Sequence, residues 1–200
     1  MSSWRDMREV DKRRGRRLLR PLISLLARAG VRPNHVTVLA LPLSGLAAYL
    51  FATGQFFWAG VVAALVGICD TVDGELSRAT NRQSRVGAFL DSNVDRVSAA
   101  LVLGGVFWFY QARNPWYGLL SVAALVLSLM VSYVRARAEG LGYECKVGWF
   151  ERPVRVLLLL FGAFILGRTS MPVALGVIAL GSLATVVHRL VHVLRQRGNG

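Results

Sequence analysis

Four aspartates fall at helical spacing within one short window: Asp70 and Asp73, three apart, and Asp91 and Asp95, four apart. Each spacing places its pair on one helix face, about one turn apart. The flanks are apolar, Val61 to Ile68 before and Val97 to Tyr110 after. Carboxylates at the edge of apolar helices are costly, so such positions mark function. Acceptor-only oxyanion groups with no lysine beside them call for a cation, and hard oxygen ligands suit Mg²⁺, Mn²⁺ or Ca²⁺. Without one, like charges brought this close repel. The expected site is one or two divalent ions held by Asp70, Asp73 and Asp91, with Asp95 as a further candidate ligand. Glu75 falls off this face by spacing and reads as a solvated residue. Gly74 and Gly87 let backbones and a flat group approach closely. Arg78 can pair with phosphate.

The elements that position these residues are long apolar helices. More than half of the 200 residues, 54%, are hydrophobic, and the mean hydropathy is +0.46. Apolar runs of about 18 residues or more read as membrane spans. The fold class is therefore an all-α integral membrane protein. Six transmembrane helices are predicted, near 36–53, 56–80, 85–110, 116–138, 151–166 and 171–187, the fifth having the shortest apolar part. Gly54-Gln55 and residues 81–84 are turns, so the second and third spans form a hairpin whose ends bring the four aspartates together. Residues 1–33 form a basic, amphipathic N-terminal interfacial segment, with Arg13, Arg14, Arg16, Arg17 and Arg20 ahead of a leucine-rich run from Leu22. Such a helix lies at the headgroup level. The membrane domain covers 34–194, and 195–200 is a tail ending in Gly198-Asn199-Gly200, which reads as disordered.

Charge orients this plan. The net charge is +13, and all 24 lysines and arginines except Arg113 and Arg168 fall towards one predicted face. The positive-inside rule puts that face, the active site and both termini in the cytoplasm. Basic residues that bracket apolar runs point to lipid headgroups and phosphorylated substrates, not nucleic acid. Cys69 and Cys145 fall on the cytoplasmic side and read as packing residues. No cleavable signal peptide is visible, and the expected location is a cell (plasma) membrane.

At the aspartates the chain resembles the CDP-alcohol phosphotransferase family, whose pattern is D-x-x-D-G-x-x-A-R, eight residues, then G-x-x-x-D-x-x-x-D. Asp70, Asp73, Gly74, Arg78, Gly87, Asp91 and Asp95 match with spacing intact, and Ser77 stands where the family has alanine. Arg32-Pro33-Asn34-His35-Val36-Thr37 is similar to the family's P-N-x-hydrophobic-T box. On its residues alone, Asn34 reads as a helix cap. The resemblance implies transfer of a phosphatidyl group from CDP-diacylglycerol to an alcohol, with release of CMP. It implies a divalent cofactor, Mg²⁺ or Mn²⁺, and Asp95 as general base, although sequence alone does not separate Asp91 from Asp95. For the CDP-lipid it implies contacts at Asn34, Thr37, Asp70, Asp73, Gly74, Ser77, Arg78 and Gly87. Homodimerisation is a family expectation.

A second basic group lies at span mouths on the same face: Arg135, Arg137, Lys146, Arg152, Arg155 and Arg189. As a cluster it suggests a phosphorylated acceptor. The strings Ser132-Tyr133-Val134-Arg135-Ala136-Arg137-Ala138-Glu139 and Glu151-Arg152-Pro153-Val154-Arg155 resemble the phosphatidylinositol-phosphate synthase branch, which takes inositol phosphate. Arg135 replaces that branch's lysine, keeping the charge but not its geometry. Glycerol 3-phosphate is the alternative acceptor. The alternative class is a divalent-cation transporter, which wants its site near the midplane between repeats; this chain carries no internal repeat.

Overall fold

The computed structural model describes residues 21–196, and all their regular structure is helical. A helical stretch over residues 21–28 precedes six helices: α1 (Pro33–Ala52), α2 (Phe56–Ala79), α3 (Arg85–Gln111), α4 (Pro115–Gly140), α5 (Arg152–Ile165) and α6 (Met171–Gln196). The starts follow local chemistry. Pro33, Pro115 and Pro153 occupy the first turns of α1, α4 and α5, where a missing N–H costs nothing. Ser84 caps α3 by accepting from Gly87 N at 2.9 Å, and Asn114 caps α4 by accepting from Trp116 N at 3.1 Å. Asn34 is not a cap. Arg32 holds that position without a side-chain bond, because Pro33 starts the helix one residue earlier. The last helix also runs past the predicted span end at 187, through His188 and Arg189 to Gln196. Arg13 to Arg20 of the basic arm and Gly198 to Gly200 lie outside the described residues.

Each of the six helices packs chiefly on two others, and the contacts close a ring in the order α1, α2, α5, α6, α4, α3. The hairpin of α2 and α3 brings its ends together as expected, but the two helices do not pack along their length. Each lies mainly against α1, one on either side, and they approach one another where the aspartates sit. Their connection is the tight turn at Asn81, which adopts φ 51°, a left-handed conformation that asparagine tolerates.

One apolar core seals the end of the ring away from the aspartates. Phe51 of α1, Phe56 and Ala59 of α2, Val106 and Phe109 of α3, Ala124 of α4, Ala163 of α5 and Leu175 and Ile178 of α6 all belong to it. Phe56 meets Phe51 and Phe109 edge-to-face, at 5.4 and 4.9 Å between ring centroids. Close crossings depend on missing side chains. A Cβ on Gly105 would lie 2.2 Å from the Ala48 carbonyl oxygen, so α1 and α3 touch backbone to backbone there.

Among the described residues, four helices, α1, α2, α4 and α6, are long and apolar enough to cross a membrane. Helix α3 has 27 residues but carries Asp91, Asp95 and Arg96 in its first half. Helix α5 has 14 residues, about 21 Å, short of a hydrocarbon core of about 30 Å. The outer surface suits a bilayer: Trp58, Trp108 and Trp116 stand exposed at the sealed end and Trp149 at the other, with Leu65, Leu101, Leu119 and Leu180 exposed along the helices.

Candidate active site

Helix α2 presents Asp70 and Asp73, and helix α3 presents Asp91 and Asp95, all at the unsealed end of the ring. Carboxylate oxygens of Asp70, Asp91 and Asp95 lie within 4.8 Å of one another. Three hard, acceptor-only ligands converging from two helices fit a divalent cation, for which carboxylate oxygen is the favoured donor. Asp73 is not in that trio. It is buried, and Thr37 Oγ1 of α1 donates to its Oδ2 at 2.6 Å. The hydroxyl also approaches the Pro33 carbonyl at 3.3 Å, which ties its direction to the first turn of α1. The Pro-Asn-x-x-Thr box thus meets the aspartate motif directly, through Thr37.

Asn34 reaches the site by a second route. A Cβ on Gly87 would lie 3.3 Å from Asn34 Oδ1 and 3.1 Å from Ser84 Oγ, so the start of α3 crosses α1 closely there. Gly74 is different. A Cβ there would meet only the Arg78 guanidinium, at 3.5 Å, so this glycine leaves an open patch of helix backbone and serves no helix packing. Ser77 turns its hydroxyl back to the Gly74 carbonyl at 2.9 Å, where the family's alanine has no such bond to make. Glu75 is not the freely solvated residue that spacing suggested. Its side chain is 17% exposed and accepts from Arg78 at 2.8 Å, one turn further on. Arg78 itself is half exposed and engaged by that pair.

The basic residues divide. Arg152, at the start of α5, donates Nη1 to Asp70 Oδ1 and Nη2 to Asp95 Oδ1, both at 2.6 Å. Arg155, one turn later, donates to the Phe150 carbonyl at 2.8 Å and lies within electrostatic range of Arg152 and Arg189. Arg135 pairs with Glu139 at 2.9 Å on the exposed end of α4. Arg137 and Lys146 are exposed. Arg189 does not stand at an open mouth. It is 2% exposed, with Nε donating to the Val147 carbonyl at 2.8 Å and Nη1 to the Val131 carbonyl at 2.5 Å. Carbonyls that take its protons let this guanidinium lie buried.

Sequence reading missed what Arg189 holds. The loop 141–151 lies on α6 through Gly148, whose φ is 106° and whose missing Cβ would lie 2.5 Å from Thr185 Cγ2. Phe150 presses on Gly181 in the same way, and its N–H donates to Thr185 Oγ1 at 3.3 Å. The readable signal was Gly148-Trp149-Phe150, a glycine followed by two large aromatics directly ahead of Glu151-Arg152. The loop's seat on α6 fixes where α5 begins, and so where Arg152 meets the aspartates.

Known proteins share both the sequence and this architecture. Residues 31–190 match the CDP-alcohol phosphatidyltransferase family. The phosphatidylinositol phosphate synthase of Mycobacteroides abscessus is 37% identical over 188 residues, covering 90% of this chain and 84% of that protein. The crystal structure of the Mycobacterium tuberculosis phosphatidylinositol phosphate synthase with CDP-DAG bound superposes with a TM-score of 0.81 at 32% identity, over 88% of this chain and 94% of that one. The same enzyme in complex with manganese and citrate gives 0.80 at 32% identity, over 87% and 88%. With seven motif positions in place and three of its aspartates gathered at one point, the chain belongs to the CDP-alcohol phosphatidyltransferase family, a family of transferases.

Proposed function

We propose that this protein transfers the phosphatidyl group of CDP-diacylglycerol to inositol phosphate, releasing CMP, at the cytoplasmic face of a cell membrane. One observation carries the reading: Asp70, Asp91 and Asp95 meet within 4.8 Å at the open end of an apolar helix ring. The donor is supported by the CDP-DAG-bound relative and the acceptor by the curated relatives' activity as phosphatidylinositol phosphate synthases.

Asp70, Asp91 and Asp95, with Asp73 behind them, would hold a divalent ion, Mg²⁺ or Mn²⁺, whose chemistry there would be positive charge for the diphosphate and the departing CMP. The chain's own residues do the rest. Asp95 accepts the acceptor's hydroxyl proton, with Asp91 as the neighbouring candidate, while the alcohol oxygen bonds to the lipid-side phosphorus and the bond to CMP breaks. Thr37 holds Asp73 so that its charge faces the ligand set. The bare backbone at Gly74 admits the nucleotide, flanked by Asn34, Ser77, Arg78 and Gly87. The acyl chains leave sideways into the bilayer, where α2 and α3 lie on separate sides of α1.

The acceptor phosphate faces Arg135, Arg152 and Arg155, with Arg137 at the rim. Arg189 enters this reading as the strut beneath the pocket. All six helices cross the membrane, α3 and α5 with their charged starts at the cytoplasmic surface. Both termini share that side, residues 1–33 lie along the headgroups, and the working unit is a homodimer.

The test is CMP release from labelled CDP-diacylglycerol by purified protein, with inositol phosphate or glycerol 3-phosphate. Product with inositol phosphate and little with glycerol 3-phosphate is expected. The reverse result replaces the acceptor and leaves the transferase reading intact.

A further inference from the structure

Arg152 makes contacts that an acceptor-binding role does not require. Its two terminal nitrogens bridge Asp70 on α2 and Asp95 on α3, at 2.6 Å each. These are two of the three carboxylates whose oxygens converge within 4.8 Å. The guanidinium therefore lies across the ligand set itself. A divalent ion takes carboxylate oxygens at roughly 2.0–2.6 Å and repels a second cation drawn to the same pair. The side chains of Arg152, Asp70 and Asp95 are 30%, 32% and 22% exposed, so the guanidinium has water to move into. Its neighbour one turn on, Arg155, keeps its own bond to the Phe150 carbonyl and marks a basic surface beside the acidic one.

We propose that Arg152 and the divalent cation exchange at the Asp70–Asp95 pair. Loading the cation lifts the guanidinium off the carboxylates, and the freed fork turns towards the phosphate of the anionic acceptor. The inference rests on the metal-centre reading above and adds an order to it, cation before acceptor. Arg152 is a positioning residue in this scheme: it holds two helices' carboxylates together until the ion takes over. By linkage, removing the guanidinium while keeping both carboxylates strengthens cation binding.

The experiment is a Mn²⁺ titration of the full-length protein in nanodiscs, reading free Mn²⁺ by electron paramagnetic resonance without any substrate. Wild type, Arg152→Gln, Arg152→Lys and Asp91→Asn are compared. Arg152→Gln is expected to bind Mn²⁺ about threefold more tightly or better, the gain from removing a competing ion pair of modest strength. Arg152→Lys, which keeps the charge but cannot fork both carboxylates, is expected between wild type and Gln. In thermal unfolding without metal, Arg152→Gln melts below wild type, and Mn²⁺ raises its midpoint by more. Unchanged or weaker Mn²⁺ binding in Arg152→Gln overturns the exchange while leaving the metal centre standing. If the Gln variant does not fold, unchanged affinity in Arg152→Lys overturns it. Wild type that binds no Mn²⁺, or binds it no better than Asp91→Asn, overturns the metal centre and the exchange together.

Discussion

Asp73 is the most deeply buried of the four aspartates, and a buried carboxylate needs a donor. Thr37 is that donor, at 2.6 Å. Replacing it with the isosteric valine keeps the shape and removes the proton. Hydrogen bonds to charged groups are worth about 1.5–3 kcal/mol, so Thr37→Val is expected to cost about that much stability, read as a lower thermal midpoint in detergent. Asp95→Asn is expected to reduce turnover by at least about a hundredfold, the lower range for a lost general base, with the fold intact by circular dichroism. Near-normal CMP release in that variant contradicts its role. At this scale the motif was readable because carboxylate spacing is a local property. Thr37's partner was not, because 36 residues separate the two and only the α1–α2 crossing joins them. Arg152's partners were hidden for the same reason: its charge at a span mouth was visible, but not that α5 would start beside Asp70 and Asp95.

Helix ends and crossings decide whether these residues meet. Arg189 anchors the loop 141–151 to the ring through the Val131 and Val147 carbonyls. Arg189→Met leaves both carbonyls without their donor in a buried setting. The expected cost is about 2–4 kcal/mol, with faster proteolysis within 141–151 than in wild type. Acceptor binding weakens with it, because the loop seats the start of α5. Gly105→Leu tests the other side of the ring. Its Cβ alone would lie 2.2 Å from Ala48 O, so α1 and α3 must separate. The overpacking cost is about 1–3 kcal/mol or more, and Thr37 and Asp91, carried by the two helices, move apart. Activity and Mn²⁺ binding both kept at the wild-type level would contradict a role for this crossing in positioning the site. Element boundaries were legible to within a few residues because proline, glycine and polar turns punctuate the apolar runs. The exception was the end of α6. Basic residues after 187 read as the close of the span, whereas His188 and Arg189 continue the helix, with Arg189 drawn inward by carbonyls.

As a whole, the molecule is a ring sealed at one end by aromatic packing and open at the other, where charge collects. That polarity explains why an apolar chain tolerates four aspartates: Asp70, Asp91 and Asp95 sit part-exposed at its rim, and the buried Asp73 takes its hydrogen bond from Thr37. It also makes orientation measurable. A single cysteine placed at Lys146, in a protein with Cys69 and Cys145 replaced, is expected to react with a membrane-impermeant reagent only after the cytoplasmic side is opened. One placed at Arg113 is expected to react from outside in intact cells. Labelling in the reverse sense contradicts the orientation. The all-helical plan was legible from hydropathy and charge. The closed order of the ring was not, because neighbours in sequence, α2 and α3, are separated by α1, and no run of apolar residues records which helix lies beside which.

The most direct measurement is CMP release from CDP-diacylglycerol and inositol phosphate by the purified protein, before and after chelation and after Mn²⁺ or Mg²⁺ is returned. The account predicts loss of release on chelation, recovery with either ion in wild type, and no recovery in Asp91→Asn. Release that continues in chelator, or that the Asp91→Asn variant supports at the wild-type rate, would contradict the claim that Asp70, Asp91 and Asp95 form the cation site on which catalysis depends.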